Sequence, residues 1–384
     1  MTAVRAAPVT VDRVAALRAL PGLGDLLCLV PALRAVRAAH PAARVTLVGL
    51  PGAAWFVDRF PHLCDELLPV AGVEGVPEVA PDPEARAVFA RRAGAHRFDL
   101  ALQLHGSGVT SNAVLDLLGG SRRVVTRPPG DGGRGRGPAA PGAAGPGPGP
   151  GEEVVVPYDE RLPEIERLLA VTTAAGCPPR GTHLELPVTD GEVAAARTLR
   201  RAARGDGTGR PFACLHPGAS TYQRAWSVPG FARVGAHLAR QGFDVLVTGT
   251  APEADRTAAV VGRLRAALDD PADPDRTGRV VDLAGRTDVG VLGALYRDAA
   301  LVVSNDTGAA HVAAAVGAPA VVVTAAADPW RWAPLDRQRH RTVTGGGPGE
   351  VGWPGAADVL AAVDEQLAPS SPTDAPPTGP AVAR

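Results

Sequence analysis

The sequence contains no lysine: all 39 basic side chains are arginine, and there is one isoleucine, Ile165, and one methionine, Met1. Without a lysine amine the chain cannot be a P-loop NTPase of the G-x-x-x-x-G-K type, and it cannot hold pyridoxal phosphate or another carbonyl compound as a Schiff base. A genome rich in G and C replaces lysine by arginine, so a cluster of arginines is a weak sign of a site in this chain.

Cysteines are also scarce. The four residues Cys28, Cys64, Cys177 and Cys214 lie far apart, with no C-x-x-C pair and no zinc-like spacing to histidine. They are predicted to be small apolar residues in a reducing compartment. No run approaches the ~18 apolar residues of a membrane span, and charged residues interrupt the N-terminal segment where a signal peptide would need its apolar core. A soluble, cytoplasmic protein is therefore expected.

The charge is balanced, with 40 acidic residues and a net charge of −1. This argues against a nucleic-acid partner, which would require a basic face. The length of 384 residues predicts two domains, each with its own core. Glycine and proline are concentrated at residues 128–152 and 368–384, which cannot bury enough apolar surface to offset the entropy of ordering. Both segments are predicted to be disordered.

Apolar strands alternate with helices in both halves of the chain. In the first half, strands are predicted at residues 14–20, 44–48, 98–104 and 122–125, the last one ending the half, with a helix at 26–39. In the second half, strands are predicted at 212–215, 244–248, 280–283, 300–304 and 320–324, and helices at 228–240, 252–267, 289–297, 309–316 and 357–366. Helices at 160–175 and 190–203 connect the halves. The pattern predicts an α/β protein with two Rossmann-like, doubly wound parallel sheets facing across a cleft. Ligands of such sheets bind at the carboxyl ends of the strands.

Three loops at strand ends carry candidate site residues. The first is Gly22-Leu23-Gly24-Asp25, where glycines allow a ligand to approach a helix terminus closely. It lacks the third glycine of a dinucleotide fingerprint, and no acid follows the second strand. Asp25 at this position favours a helix N-cap, which does not exclude a role as a catalytic base.

The second loop, residues 214–226, is rich in hydroxyl groups and contains Arg224, so it could hold a diphosphate or be an ordinary polar loop. The third, residues 304–315, is a polar run that opens an alanine-rich helix, with His311 one turn inside. A hydrogen-bonded core histidine is the alternative there, but the density of polar groups favours a ligand site. The tryptophan loop at 330–334 fits either a nucleotide pocket or packing between domains.

The order of these motifs resembles a known family. The motifs are Gly22–Asp25 with Pro31-Ala32-Leu33-Arg34, residues 99–106, His216-Pro217-Gly218-Ala219 with Arg224 and Trp226, Gly249 with Glu253, and Asn305-Asp306-Thr307-Gly308 with His311. Together they resemble the family 9 glycosyltransferases, which are the heptosyltransferases of lipopolysaccharide core assembly and their relatives. The resemblance implies the two-domain GT-B fold. It also implies an inverting, metal-independent transfer from a nucleotide diphosphate sugar such as ADP-heptose to an acceptor hydroxyl, with no cofactor.

The resemblance further assigns roles to residues. Asp25 matches the general base, Thr307 and Gly308 match diphosphate contacts, Asp306 lies near the donor sugar, and Glu253 matches a ribose-binding acid. Arg224 stands where the family usually has lysine. The remaining matches on the donor side are Gly218, Ser220, Thr221 and His311, and those on the acceptor side are Gly22, Gly24, Gln103, His105 and Gly106. The predicted domains are an acceptor domain at residues 1–127, connecting helices at 153–205 and a nucleotide-sugar domain at 206–367.

The expected partners are the nucleotide sugar and a glycan, glycolipid or small-molecule acceptor, and the protein is expected to be a monomer. A lipid-linked acceptor would bring it to a membrane surface. Two alternatives stay open at this point. A nucleotide-sugar epimerase of the same fold would convert the donor without an acceptor. The joint presence of Asp25, Asp306 and His311 argues against a non-catalytic nucleotide-sugar-binding protein, but Arg224 in place of lysine keeps this alternative open.

Overall fold

The structure of the protein is a computed structural model that describes residues 10–129, 151–204, 209–269, 278–326, 329–346 and 350–368. The predicted disordered segments at 128–152 and 368–384 lie almost entirely outside these described residues. No helix in the described ranges has the length and apolar character needed to cross a bilayer.

The first domain is built on a six-stranded parallel sheet. Its strands are β1 (Arg13–Leu17), β2 (Arg44–Gly49), β3 (Glu66–Pro69), β4 (Leu100–Gln103), β5 (Arg122–Arg127) and β6 (Glu153–Pro157). Its helices are α1 (Leu23–Leu27), α2 (Val30–Ala39), α3 (Ala54–Arg59), α4 (Pro83–His96), α5 (Asn112–Leu118) and α6 (Glu164–Ala174). The strand order is β3-β2-β1-β4-β5-β6, so the order reverses direction between β1 and β4.

The second domain repeats this arrangement. Its strands are β7 (Phe212–His216), β8 (Asp244–Val247), β9 (Val280–Asp282), β10 (Leu301–Asn305), β11 (Ala320–Val323) and β12 (His340–Val343). Its helices are α7 (Asp190–Arg204), α8 (Val228–Arg240), α9 (Ala254–Leu268), α10 (Val289–Asp298), α11 (Gly308–Ala315) and α12 (Ala356–Leu367). Short 3₁₀ helices occupy Pro51–Ala53, Tyr222–Arg224 and Ala251–Glu253. The order β12-β11-β10-β7-β8-β9 places the reversal between β7 and β10.

The strands of both sheets show the burial that is typical of parallel sheets. β7, β10 and β11 are buried along their whole length, because helices cover both faces of the sheet. In the first domain, every residue of β1 after Arg13 is buried as well. The predicted α/β class and the doubly wound parallel sheets are therefore confirmed. Each reversal of strand order leaves a crevice outside the carboxyl ends of the central strands, where such folds bind ligands.

Some local predictions were wrong. Strand 122–125 was expected to end the first sheet, but residues 153–157, placed in the connecting region, form β6 and pair with β5 in parallel. The edge strands β3 and β12, each four residues long, were not predicted. The single helix expected at 26–39 is divided into α1 and α2. Pro31 lies in the first turn of α2, where its missing N–H costs no intrahelical hydrogen bond.

Candidate active site

A cavity of about 450 Å³ lies between the two domains, against the loops that follow the central strands of both sheets. Ten of the predicted site residues line it: Gly22, Gly24, Asp25, Ser220, Arg224, Glu253, Asp306, Thr307, Gly308 and His311. The structure thus brings together residues that are up to about 290 positions apart in the sequence. The crevices expected at the two reversals of strand order are joined into one site.

Two glycines let the domains meet at this cavity. A Cβ atom on Gly24, in α1, would lie 2.7 Å from Nδ1 of His311, in α11. A Cβ atom on Gly308 would lie 3.0 Å from Cβ of Leu23. The starts of α1 and α11 are therefore in contact across the interface, and only residues without a side chain permit this distance.

Asp25 faces the cavity from the first domain. The N-cap of α1 is Gly22, and Asp25 is the third helical residue, so the predicted N-cap position was wrong. Asp25 still caps the helix from there, since its Oδ2 accepts the N–H of Gly22 at 3.1 Å. The other oxygen, Oδ1, lies 3.8 Å from Nη2 of Arg18, and the side chain is 22% exposed. The carboxylate is therefore held at the backbone and accessible from the cavity at the same time.

Glu253 forms a second polar wall. Its Oε2 accepts the N–H of Thr250 at 2.7 Å and the Thr250 hydroxyl at 2.8 Å. Gly218 does not line the cavity, but a Cβ atom there would lie 2.2 Å from Oε1 of Glu253. The glycine thus makes room for the carboxylate. His216, which belonged to a recognised motif but was assigned no role, lines the cavity with its Nε2 3.9 Å from the same carboxylate. Burial lowers the pKa of His216, which favours the neutral ring.

The start of α11 is electropositive. Thr307 is its N-cap and Gly308 its first residue, so unpaired backbone N–H groups point out of the helix here. His311 lies one turn further, with Nδ1 3.2 Å from the Thr307 carbonyl oxygen. Burial alone would lower the pKa of His311, but the neighbouring Cys28 side chain, the Asp306 carboxylate and the Thr307 carbonyl outweigh it and raise the pKa to about 9. The ring is therefore positively charged at neutral pH.

His311 is both a core residue and part of the cavity wall. It is buried, as the core interpretation expects, but its Nε2 has no hydrogen-bond partner among the described residues. Asp306 and Arg224 complete this end of the cavity. Burial raises the pKa of the Asp306 carboxyl group, and the nearby positive charges of His311 and Arg224 partly offset this increase. Arg224 thus supplies its charge at the position where a lysine is usual in the family.

The structure places three acceptor-side candidates outside the cavity lining. Gln103 is buried: its Nε2 donates to the His105 carbonyl at 2.6 Å and to the Ser111 hydroxyl at 2.7 Å. His105 accepts the N–H of Ala19 through Nδ1 at 3.2 Å. Burial, together with the charge of Arg18, lowers the pKa of His105 to about 4. Gly106 has a φ of +62°. These residues shape the loop after β4, and their contact with an acceptor stays a prediction.

For the remaining residues near the cavity, the sequence provided weak evidence of a role or none. Trp332 lines the cavity beside Leu292 and Thr250, whereas Trp330 is exposed and lies against Arg337. Thr221 is exposed and does not line the cavity.

Within the described ranges, no group of three or more His, Cys, Asp or Glu side chains is placed to hold a metal ion. The four cysteines are unpaired and buried, as predicted.

The fold is that of the two-domain GT-B proteins. Residues 153–345 match the family model of glycosyltransferase family 9 (heptosyltransferase), which is half of the chain. The chain belongs to this family, as its motifs predicted.

Individual relatives agree with this assignment. The chain is 31% identical over 194 residues to lipopolysaccharide heptosyltransferase 3 of Escherichia coli, which covers 46% of this chain and 53% of the relative. It spans about half or less of the length of the curated relatives it matches. A family 9 glycosyltransferase from Veillonella parvula superposes with a TM-score of 0.66 at 17% identity, over 88% of each chain. The ADP-heptose lipopolysaccharide heptosyltransferase II of E. coli gives 0.62 at 19% identity, over 93% of this chain and 98% of that one. These structures confirm the predicted GT-B fold.

Proposed function

We propose that the protein is an inverting glycosyltransferase that moves a sugar from a nucleoside diphosphate sugar to an acceptor hydroxyl. One observation carries the proposal: a partly exposed carboxylate, Asp25, and an electropositive helix start, at Thr307 and Gly308, face the same cavity from opposite domains. A base and a diphosphate site in one cavity are what a single displacement at an anomeric carbon requires. The named relatives support a heptose as the sugar and ADP-heptose as the donor.

The donor binds along the second domain. Its diphosphate lies at the start of α11, where the N–H groups, His311⁺ and Arg224 neutralise the charge that develops on the leaving group. Glu253 accepts the hydroxyl groups of the ribose. Helix N–H groups and fixed cations can stabilise a diphosphate leaving group without a metal ion. We therefore expect the activity to persist in EDTA.

Asp25 acts on the acceptor. Because Oδ2 is occupied by the N–H of Gly22, Oδ1 is the atom that takes the proton of the acceptor hydroxyl. The acceptor oxygen then forms its bond to the anomeric carbon as the bond to the diphosphate breaks on the opposite face, which inverts the configuration. The acceptor is a glycan, a glycolipid or a small hydroxylated molecule held mainly by the first domain.

Thermal-shift measurements with ADP, GDP, UDP, dTDP and ADP-heptose test the donor part of the proposal. A ligand at about 100 times its Kd stabilises the folded protein by ~2.7 kcal/mol, so ADP and ADP-heptose should raise Tm by several degrees. The absence of a shift with every nucleotide would contradict the proposal. Analysis of ADP-heptose after incubation without acceptor separates transfer from epimerisation, since a transferase leaves the sugar configuration unchanged.

Binding of ADP should weaken at alkaline pH through His311. A pKa of about 9 means that the positive charge is fully present at pH 7 and is lost as the pH rises through 9. A charge-assisted hydrogen bond contributes about 1.5–3 kcal/mol, so we expect Kd for ADP to rise at least about tenfold between pH 7 and pH 10 by calorimetry. The His311→Gln variant should bind more weakly at pH 7 and show little change over this range. An equally steep pH dependence in that variant would assign the effect to another group.

Gly218→Ala should weaken nucleotide binding although Gly218 does not line the cavity. The new methyl group would overlap Oε1 of Glu253, at 2.2 Å, and displace the carboxylate. Loss of its charged hydrogen bonds to the ribose costs about 1.5–3 kcal/mol, so Kd for ADP should rise about 10–100-fold. Gly262→Ala in α9 is the matched control, because a Cβ atom there meets nothing within 4 Å. If Gly218→Ala bound ADP as tightly as this control, Glu253 would not be a ribose ligand.

A further inference from the structure

Behind Asp25 lies a buried cluster of charged side chains. Arg18 follows β1 directly and is fully buried; its Nη1 donates to the Leu104 carbonyl oxygen at 2.8 Å and to Oε1 of Glu164 at 2.5 Å. The other oxygen of Glu164 pairs with Arg167. The side chains of Glu164 and Arg167 are both more than nine-tenths buried. The cluster therefore joins the end of β1 to α6, 146 residues away.

The charges within this cluster do not balance. Arg18 and Arg167 carry two positive charges, and Glu164 carries one negative charge. The second terminal nitrogen of Arg18, Nη2, is buried and has no hydrogen-bond partner among the described residues. A buried charge without a counter-ion is strongly destabilising. The carboxylate that this nitrogen faces is Asp25, with Oδ1 at 3.8 Å.

We propose that Arg18 is a positioning residue for the Asp25 carboxylate in the glycosyl transfer proposed above. Arg18 is fully buried and does not line the cavity, so it can act on the reaction only through another residue. At 3.8 Å the contact with Oδ1 is electrostatic and too long for a hydrogen bond. Oδ1 therefore keeps its lone pairs for the acceptor proton, while the N–H of Gly22 fixes Oδ2. The two contacts hold the carboxylate by different oxygens and set the direction in which Oδ1 points.

The rest of the cluster keeps Arg18 in place. The backbone N–H of Glu164 donates to the Arg331 carbonyl oxygen at 2.8 Å. Arg167 lies over the ring of Tyr158, with 4.6 Å between the guanidinium carbon and the ring centroid. Glu164 would still be paired with Arg167 if Arg18 were replaced by a neutral residue. Such a variant leaves no unpaired buried carboxylate, so Arg18→Met is expected to fold.

A double-mutant cycle with Asp25→Asn tests this role. The readout is acceptor-dependent release of ADP from ADP-heptose, with Kd for ADP measured separately by calorimetry. A misplaced base costs on the order of 10²-fold in rate, so Arg18→Met should lower kcat by about that factor and leave Kd for ADP within about twofold. In the Asp25→Asn background the same change should alter the residual rate by less than about twofold, because Arg18 acts through Asp25. Arg18→Lys should recover part of the lost kcat.

Arg37→Met is the matched control. Arg37 also bonds a backbone carbonyl, that of Ala43 at 2.6 Å, and a carboxylate, Asp65 at 2.7 Å, but it lies away from the cavity. Its loss should lower Tm without changing kcat. An equal loss of rate from Arg18→Met in the wild-type and Asp25→Asn backgrounds would overturn the inference, and so would an unchanged kcat. If Arg18→Met failed to fold, the neutral variant Arg18→Gln would be taken through the same cycle with the same criteria.

The outcomes also separate this inference from the proposed function. A wild-type protein that releases ADP and loses that activity on Asp25→Asn, with a normal rate in Arg18→Met, would remove Arg18 and keep the transferase. A wild-type protein that releases no nucleoside diphosphate from any nucleotide sugar would remove both.

Discussion

Replacing Asp25 by asparagine should lower the rate of sugar transfer by about 10²–10⁴-fold, which is the usual contribution of a general base. The amide keeps the size of the side chain, and its oxygen can still accept the N–H of Gly22, so α1 should begin at the same residue. What disappears is the negative oxygen that, in the proposed mechanism, takes the acceptor proton. Single-turnover and steady-state release of ADP from ADP-heptose would measure the effect.

Binding of ADP at the proposed donor site supplies the control for this variant. The start of α11 and Glu253 belong to the second domain, and no group in that domain depends on the charge of Asp25 for a hydrogen bond among the described residues. Kd for ADP should therefore stay within about twofold of the wild-type value. Retained turnover in Asp25→Asn would remove this carboxylate from the role of base. A parallel loss of ADP binding would mean that the substitution disturbs the fold.

The substitution Gly24→Ala, which adds one methyl group, should lower the rate of transfer almost as much as Asp25→Asn does. In Gly24→Ala the new Cβ atom would lie 2.7 Å from Nδ1 of His311, whose ring is buried and held at the Thr307 carbonyl oxygen. At this distance something must shift, so either the His311 ring or the facing helix α1 is displaced and the two sides of the cavity change their relative position. A misplacement of about 1 Å between reacting groups can cost 10²-fold in rate. We expect kcat/KM for the acceptor to fall by about that factor.

The glycines at open positions make this prediction specific. At Gly94 and Gly262 a Cβ atom would meet nothing within 4 Å. Gly94→Ala and Gly262→Ala, both within helices, should leave kcat/KM unchanged and stabilise the protein by about 0.5–1 kcal/mol. If Gly24→Ala behaved like these two variants, the contact between α1 and α11 would not be required for activity. Thermal unfolding of all three variants would show whether a loss of rate reflects a loss of stability.

Much of the architecture follows from local sequence patterns. The buried strands β7, β10 and β11 are continuous apolar runs, and the polar loops directly after β7 and β10 were predicted from the abrupt change in composition. Edge strands are harder to predict, because β3 and β12 are short and partly exposed. β6 follows a long segment rich in glycine and proline, which hides its pairing with β5. The division of the first long helix depended on Pro31, whose position inside a first turn became clear only in the structure.

The candidate site, like the fold, could be predicted from the sequence only in part. The positions of the loops predicted that Asp25, Asp306 and His311 converge, because they follow strands whose carboxyl ends share one cleft, and the family resemblance added Glu253. It did not reveal Arg18 or Glu164, since an arginine carries little information in a chain that uses no lysine. Their pairing spans 146 residues and belongs to two elements with no shared motif. Gln103 and His105 show the opposite case, where a motif was recognised but the side chains bond within their own loop.

Arg224 illustrates how the absence of lysine affects the interpretation. Arg224 is exposed and lines the cavity. Its positive charge lowers the pKa of Asp306 and so offsets part of the increase caused by burial. The positive charge of the usual lysine is therefore kept at this position. The replacement of lysine by arginine therefore does not by itself favour a non-catalytic binding protein.

The stereochemistry of the reaction tests the central claim most directly. The protein is incubated with ADP-heptose and a panel of glycan acceptors that includes truncated lipopolysaccharide core, and the anomeric configuration of the new bond is read by NMR. We predict that ADP is released only when an acceptor is present and that the product has the configuration opposite to that of the donor. Retention of configuration, or conversion of the donor sugar without an acceptor, would contradict a single displacement assisted by Asp25.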